Sequence, residues 1–534
     1  MIRSLGAYAA WILFGLACLG AGEWMRTLQA PEWYQLDPTQ HPPVMRPWMI
    51  EADCYSQMAR VQRILAGQGL IQSHFTVENW PQGLLPSTTA PFDYFILLLY
   101  FPLKLFTRFP LDWAGVLVSP VLWAALVFFW LFFRSREFTR LGRGLFILGS
   151  AFLPKLIWAT EFGRPRHLSL IIVLLTLGLV AEYERWNMAA DARRAWSIFA
   201  GLVWGLACWV SLFEPPIIFA ILVIFNLVVR RRESPLMLIP CGCVMLLALL
   251  LEGFHIYIPP PEYRGYLVNW LGTIAEVRGL DAAGLIGQMT FGLLLLPFVG
   301  WPLWLRPNAN RTDRLLVLLT VLLVFLTVFQ SRWIYYASLA ELFLIVRFYQ
   351  MDPLKASRWT VLAVFLLGLG TSASLEIEAS PHISPSQPSP ELLQISRAID
   401  APGGIMAPWW LSPGLLYFSG QPIVAGSSHC GIAGIVDSAR FYASSSWSDA
   451  ERILRQRKVR WVVVTDDPRY EYPLLNTSLG VLGLPFVTED DPKEKIDSTV
   501  AQTLIDDTFV PTWLQLRAVT PQLKLYEYDP VPGS

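Results

Sequence analysis

Long uninterrupted apolar runs dominate the first 375 residues, and their length sets the first expectation. A helix needs about 20 mostly apolar residues to cross the hydrocarbon core of a bilayer. Runs of that kind begin near Gly6, Trp113, Leu145, Leu168, Ile198, Ile217, Leu236, Gln288, Leu315, Trp333 and Thr360, which predicts about eleven spans. Residues 92–106 form a shorter run, broken by Pro102 and Lys104, and read as an interfacial or re-entrant helix. The first run, 6–22, reads as an uncleaved signal-anchor because many spans follow it.

Orientation follows from the bias of Lys and Arg toward cytoplasmic loops. With the N-terminus in the cytoplasm, the inner loops are 134–143, 182–195, 230–235, 306–314 and 347–358, and they hold sixteen Lys and Arg against far fewer acids. Counting 92–106 as a full span would place 134–143 outside, so the charge rule supports eleven. Three segments then face out: a long first loop (25–112), a loop at 252–286, and the C-terminal 376–534. The last is large enough for a domain. It opens with a Pro/Ser linker at 380–390. Helix-like stretches at 391–399 and 449–458 alternate with strand-like ones at Val459–Thr465 and Leu523–Tyr528, which predicts an α/β domain. The expected organisation is a membrane domain over 1–375 and an extracytoplasmic domain over 376–534. No repeat relates the two halves of the membrane part, which argues against transporters built from repeats.

Composition agrees with this class. Apolar residues make up 54% and charged residues only 15%, where a soluble protein carries about a quarter charged. A soluble enzyme, a disordered scaffold and a disulfide-rich secreted domain are excluded. Lys+Arg and Asp+Glu are 41 each, so net charge points to no nucleic-acid partner. The balance hides an asymmetry, since 376–534 holds 12 basic and 19 acidic residues. Six cysteines are too few for a disulfide framework. Cys54 and Cys430 lie outside the apolar runs, and a bridge between them would tie the C-terminal domain to the first loop.

Candidate chemistry gathers on the outer side. Asp53 sits near the start of a helical pattern just beyond the first span, where an acid also suits the helix dipole. The very short second outer loop, Glu161-Phe162-Gly163-Arg164-Pro165-Arg166-His167, places two arginines, a histidine and a glutamate beside lipid. Such charges are costly there unless used. Snorkelling to the headgroups and an arginine fork for phosphate are both open readings. Glu276 lies in the 252–286 loop, and Arg332 is the one charge at the next outer end, Ser331-Arg332-Trp333-Ile334-Tyr335-Tyr336, where interfacial aromatics leave anchoring and phosphate binding both open. Trp409-Trp410, bounded by prolines, reads as packing or as a rigid aromatic wall. His429 and Asp437, in or just after a loop-like stretch at 426–434, read as structural.

In their order and sidedness these segments resemble the catalytic subunit family of oligosaccharyltransferases, within the glycosyltransferase-C superfamily. That family has a multi-span membrane part, a first-loop catalytic Asp, a short second loop with an acidic motif, an outer loop carrying Thr-Ile-x-Glu, and an outer domain carrying Trp-Trp-Asp-Tyr-Gly. Here Asp53 matches the first-loop Asp, and Thr273-Ile274-Ala275-Glu276 reproduces the Thr-Ile-x-Glu motif. Arg332 corresponds to an arginine on the lipid pyrophosphate, and Trp409-Trp410 to the first two tryptophans. Two departures stand out. Arg166 lies near the position of a metal-ligand Asp, and Leu411-Ser412-Pro413 replaces Asp-Tyr-Gly.

The resemblance implies a sugar or oligosaccharide transferred from a polyprenyl (pyro)phosphate to a protein or other extracytoplasmic acceptor, at the bacterial inner membrane. Asp53 and Glu276 would be catalytic, and Arg332, Arg164, Arg166 and His167 would hold the donor phosphate. Trp409, Trp410 and Ser412 would face the acceptor. A divalent metal, Mg or Mn, would sit on Asp53 and Glu276 with Glu161 or His167 as replacement ligands. Alternatively the Arg166 guanidinium would stand in the metal's place. Without the Asp of the tryptophan motif, an Asn-x-Ser/Thr acceptor stays one option beside lipid and glycan acceptors. Two other readings remain open: an enzyme using a polyprenyl-monophosphate monosaccharide, and a non-catalytic assembly or flippase-like relative.

Overall fold

The structure, a computed structural model, describes residues 2–29, 34–86, 89–134, 140–229, 235–253, 257–289, 292–305, 310–350, 355–379, 388–466 and 471–529. Most of the expected linker at 380–390 lies outside these residues, as do the inner-loop residues Arg136, Arg230, Arg231, Arg232 and Arg306. Two compact units are present. One comprises 1–31, 116–251 and 276–384, and the other 32–115, 252–275 and 385–534.

The first unit is helical. Among the described residues, four helices are long and apolar enough to cross a membrane: Pro110–Val127, His167–Asn187, Pro235–Glu252 and Arg311–Phe329. The number rises to six if each of two bent pairs is one span. Shorter apolar helices include Ala9–Trp24, Glu214–Val228 and Arg358–Thr371. The bent pair that bears on the site is Arg140–Phe152 with Pro154–Thr160, which meet at 61°. Its break has a local cause. Pro154 cannot donate to the preceding turn and pushes Leu153 out of the helical region (φ −70°, ψ 117°). Close approach between helices relies on small residues, as expected where lipid removes the hydrophobic drive between spans. A Cβ on Gly201 would stand 2.2 Å from the Met237 carbonyl oxygen.

The second unit holds a four-stranded sheet in the order Gly404–Met406, Val459–Thr465, Leu523–Tyr528, Leu514–Val519. Its first pair is parallel and the others antiparallel. Val459–Thr465 and Leu523–Tyr528 are strands where the sequence reads as strand-like. Their inner positions, with Val462 opposite Tyr526, build a core with Met406, Phe441, Tyr442, Leu454 and Leu474. The helices Ser389–Arg397 and Trp447–Gln456 cover the two helix-like stretches. The 426–434 stretch is more ordered than a loop, because His429–Gly431 forms a 3-10 turn leading into the helix Ile432–Ala443. The same unit contains the helix Pro91–Leu103. At 1.5 Å per residue its 13 residues reach about 20 Å, short of a roughly 30 Å hydrocarbon core.

Candidate active site

Five of the expected site residues meet in the membrane unit. The helix Pro154–Thr160 stops at Glu161, and the chain turns through Gly163, whose φ of +78° is easy only for glycine. The Gly163 amide donates to the Val116 carbonyl (3.2 Å) and the Phe162 amide to Glu23 (3.2 Å). Pro165 then extends the chain, and the next helix starts at His167. This short turn brings Arg164 Nε to Glu161 Oε1 (2.6 Å) and stacks its guanidinium 3.6 Å over the Trp158 ring. Trp158 itself stacks on Tyr335 at 5.3 Å, and Lys155 Nζ lies 5.7 Å and 5.9 Å from those two rings. The neighbouring Arg166 reaches the other way, to Glu276, with Nη1–Oε1 at 2.9 Å and Nη2–Oε2 at 3.4 Å.

Glu276 sits in a 3-10 turn, Ala275–Val277, and two hydrogen bonds from its C-terminal side hold that turn in place. The Ser331 amide donates to the Arg278 carbonyl (2.8 Å), and the Leu280 amide to that of Thr327 (3.3 Å). Gly279 permits this approach, since a Cβ there would stand 2.0 Å from the Val328 carbonyl oxygen. The loop is thereby fastened beside the turn Ser331–Trp333 that carries Arg332. Arg332 pairs with the fully buried Glu214, which also accepts the Ser211 hydroxyl (2.6 Å). Burial alone would raise the Glu276 carboxyl. The charge and hydrogen bonds of Arg166, with the charges of Arg332 and Arg164, outweigh it and hold the group at about 2. So strong an acid stays ionised at neutral pH and is a poor proton acceptor.

Asp53, Trp409, Trp410 and Ser412 belong to the second unit. Asp53 is exposed in the first turn of the helix Ala52–Leu65. Its charge acts on a buried neighbour the sequence did not single out, Glu78. Burial pushes the Glu78 carboxyl up to about 7; the Ser428 amide (3.4 Å) and Arg60 pull it down, and Asp53 raises it. Gly426 makes room for this side chain, because a Cβ would stand 1.9 Å from Glu78 Oε1. Trp409 packs edge-on to both Trp410 (5.8 Å) and Trp270 (5.7 Å), giving a half-buried aromatic corner. Ser412, expected to face an acceptor, follows these tryptophans at the start of the next helix. It is fully buried, and its hydroxyl donates to the carbonyls of Ala407 (3.1 Å) and Pro408 (3.0 Å). Asp437 is structural, paired with Arg457 at 2.8 Å. Cys54 and Cys430 are buried thiols with no disulfide bridge between them.

Sequence reasoning missed Glu214, Lys155 and Glu78. Glu214 had a readable signal, an acid beside prolines at the outer end of an apolar run. Glu78 had none, since only folding buries it. The donors around Glu276 do not suit a divalent metal. Both carboxylate oxygens face Arg166, and the other charges on it are guanidiniums. Among the described residues no three His, Cys, Asp or Glu side chains come together as an ion requires.

No protein-family model matches the chain, and no curated protein matches it in sequence. Solved structures do. The archaeal oligosaccharyltransferase AglB from Archaeoglobus fulgidus, in complex with an inhibitory peptide and a dolichol-phosphate, is 12% identical with a TM-score of 0.66, over 94% of this chain and 79% of its own. An A. fulgidus oligosaccharyltransferase in complex with Zn and sulfate matches at 12% identity and 0.63, over 95% of this chain and 78% of its own. ArnT from Cupriavidus metallidurans, bound to undecaprenyl phosphate, is 11% identical with a TM-score of 0.53, over 98% of both chains. At such identity the likeness is one of fold: the chain has the helical fold of these solved oligosaccharyltransferase and ArnT structures.

Proposed function

We propose that this chain is a glycosyltransferase that moves a sugar or oligosaccharide from a polyprenyl phosphate or pyrophosphate to an acceptor outside the cytoplasm. The observation that carries this is the cluster of Arg164, Arg166 and Arg332 around Glu276, drawn from three segments more than 50 residues apart. Guanidiniums fixed at one end of a membrane bundle suit a lipid-linked phosphate. The proposed setting is the bacterial inner membrane, with about eleven spans, the N-terminus in the cytoplasm, and 376–534 as an extracytoplasmic domain. The charge bias of the loops and the glycosyltransferase-C fold support that setting. The fold's solved relatives include one in complex with dolichol-phosphate and one bound to undecaprenyl phosphate.

The step would be a single inverting displacement. The acceptor's nucleophilic atom attacks the anomeric carbon as the bond from that carbon to the phosphate oxygen breaks. The phosphate leaves with the electron pair, and Arg332, Arg164 and Arg166 stabilise its charge, with His167 at the adjoining helix start. The acceptor's proton passes to Asp53, whose exposed carboxylate suits that role better than the strongly acidic Glu276. Trp409 and Trp410 would wall the acceptor, and the 252–286 loop would cover both substrates.

A monophosphate-linked monosaccharide donor is the second reading. It is favoured by the match to ArnT over 98% of both chains and by Leu411, an apolar residue where the oligosaccharyltransferase motif carries its Asp, with the neighbouring Ser412 hydroxyl turned onto backbone carbonyls. The test is transfer by the purified protein from lipid-linked sugars extracted from host membranes. Asp53→Asn is expected to lower the rate by about 10²–10⁴-fold while donor binding persists. Unchanged transfer removes Asp53 from the mechanism.

A further inference from the structure

Glu276 and its partners raise a question that the fold alone does not answer. A relative of the same fold was crystallised with Zn and sulfate, yet the Glu276 carboxylate of this chain is gripped by a fork of N–H donors. Both of its oxygens lie toward Arg166, at 2.9 Å and 3.4 Å. The fork is held from behind. The Arg166 amide donates to the Arg164 carbonyl (2.8 Å), its own carbonyl accepts from the Ser169 amide (3.1 Å) and hydroxyl (2.9 Å), and Pro165 restrains the preceding residue. The side chain is 11% exposed and its Cζ lies 5.9 Å from the Trp158 ring. A divalent cation brought to Glu276 would have to displace this guanidinium and would then face Arg164 and Arg332 as like charges.

We propose that Arg166 does here what an ion does elsewhere: it fixes the Glu276 carboxylate and presents permanent positive charge to the donor phosphate, so that transfer needs no divalent metal. This rests on the glycosyltransferase reading above. An arginine is suited to the task because its planar fork matches a carboxylate on one edge and keeps N–H donors on the others, and because it never loses its charge. A lysine would supply charge without the geometry. Arg166 thus becomes a residue for which charge and shape are both required.

Two measurements on the full-length protein in nanodiscs judge the proposal. The first needs no substrate: titration with Mn²⁺, followed by its electron paramagnetic resonance signal. The wild type is expected to leave Mn²⁺ free up to millimolar concentration. Arg166→Asp, which removes the cation and adds a carboxylate beside Glu276, is expected to bind Mn²⁺ at least about tenfold more tightly. Micromolar, stoichiometric Mn²⁺ binding by the wild type overturns the proposal. The second is sugar transfer from membrane-extracted lipid donors with and without EDTA. Wild-type rates within about twofold of each other, a loss of about 10²–10³-fold in Arg166→Ala, and an intermediate rate in Arg166→Lys support it. A loss with EDTA that Mn²⁺ restores overturns it while leaving the glycosyltransferase reading intact. If the wild type transfers nothing from any donor, the reading fails, and the Mn²⁺ titration still decides whether Arg166 holds the place of an ion. Thermal melting of all three variants separates these effects from loss of folding.

Discussion

Replacing Glu276 by Gln keeps the outline of the side chain and removes the one negative charge that Arg166, Arg164 and Arg332 share. Holding a carboxyl at about 2 rather than its ordinary 4.5 corresponds to about 3 kcal/mol in favour of the ionised form. A quarter of the side chain is open to solvent, which screens part of that attraction. About 1–2 kcal/mol then becomes available to a phosphate once the carboxylate no longer competes for the same donors, a gain of about 5–30-fold in affinity. The measurement is equilibrium binding of labelled undecaprenyl phosphate to wild type and Glu276→Gln in nanodiscs, at low and high salt. Tighter binding in the variant is expected, with the difference shrinking as salt rises. Turnover should fall at the same time, because Arg166 loses the partner that aims it. Affinity equal to or weaker than wild type would refute the idea that carboxylate and phosphate compete for these guanidiniums.

Two further expectations concern the second unit. Glu78 binds its proton more tightly folded, at about 7, than at its ordinary 4.5, so its contribution to stability is whole below pH 4.5 and is lost as pH rises through 7. Glu78→Gln should remove this slope and exceed wild type by up to about 3 kcal/mol at pH 8; parallel melting curves at pH 5 and pH 8 would contradict the buried carboxyl. Ser412→Ala should cost about 0.5–1.5 kcal/mol of stability through its lost hydrogen bonds and leave the acceptor KM unchanged. A raised KM with unaltered melting would return Ser412 to the acceptor pocket.

Much of the local structure was legible because it depends on short-range pattern. The strand Val459–Thr465 announces itself as an apolar β-branched run, and the helix carrying Asp53 by its 3.6-residue period. The bend at Leu153 was not legible, since the run from Leu145 reads as one span, although Pro154 supplies its local cause. The site was legible only in part. Glu276 could be named from four residues of motif, but not the direction of its effect, since a lone glutamate in an outer loop carries no sign of three arginines. Glu214 was passed over although an acid beside Pro215 and Pro216 at the end of an apolar run was a readable signal, since nothing nearby in the sequence names Arg332 as its partner. The hydroxyl direction of Ser412 was not legible because adjacency to two tryptophans says nothing about which way it points; the helix beginning at Ser412 turns it onto the carbonyls of Ala407 and Pro408.

The sequence by itself determined that this chain is built on long apolar helices with arginines gathered in the short segments between them, because bilayer thickness acts on composition and length with no need of tertiary contacts. It also determined which residue types stand at the ends of the apolar runs. Which of these charges face one another was decided by the tertiary structure alone. The Gly279 backbone lies against Val328, the turn at Gly163 rests on Val116, and these two contacts bring Glu276 and Arg166 within hydrogen-bonding distance across 110 residues of chain. Electrostatic energy depends on that distance and on burial, and neither is a property of sequence order.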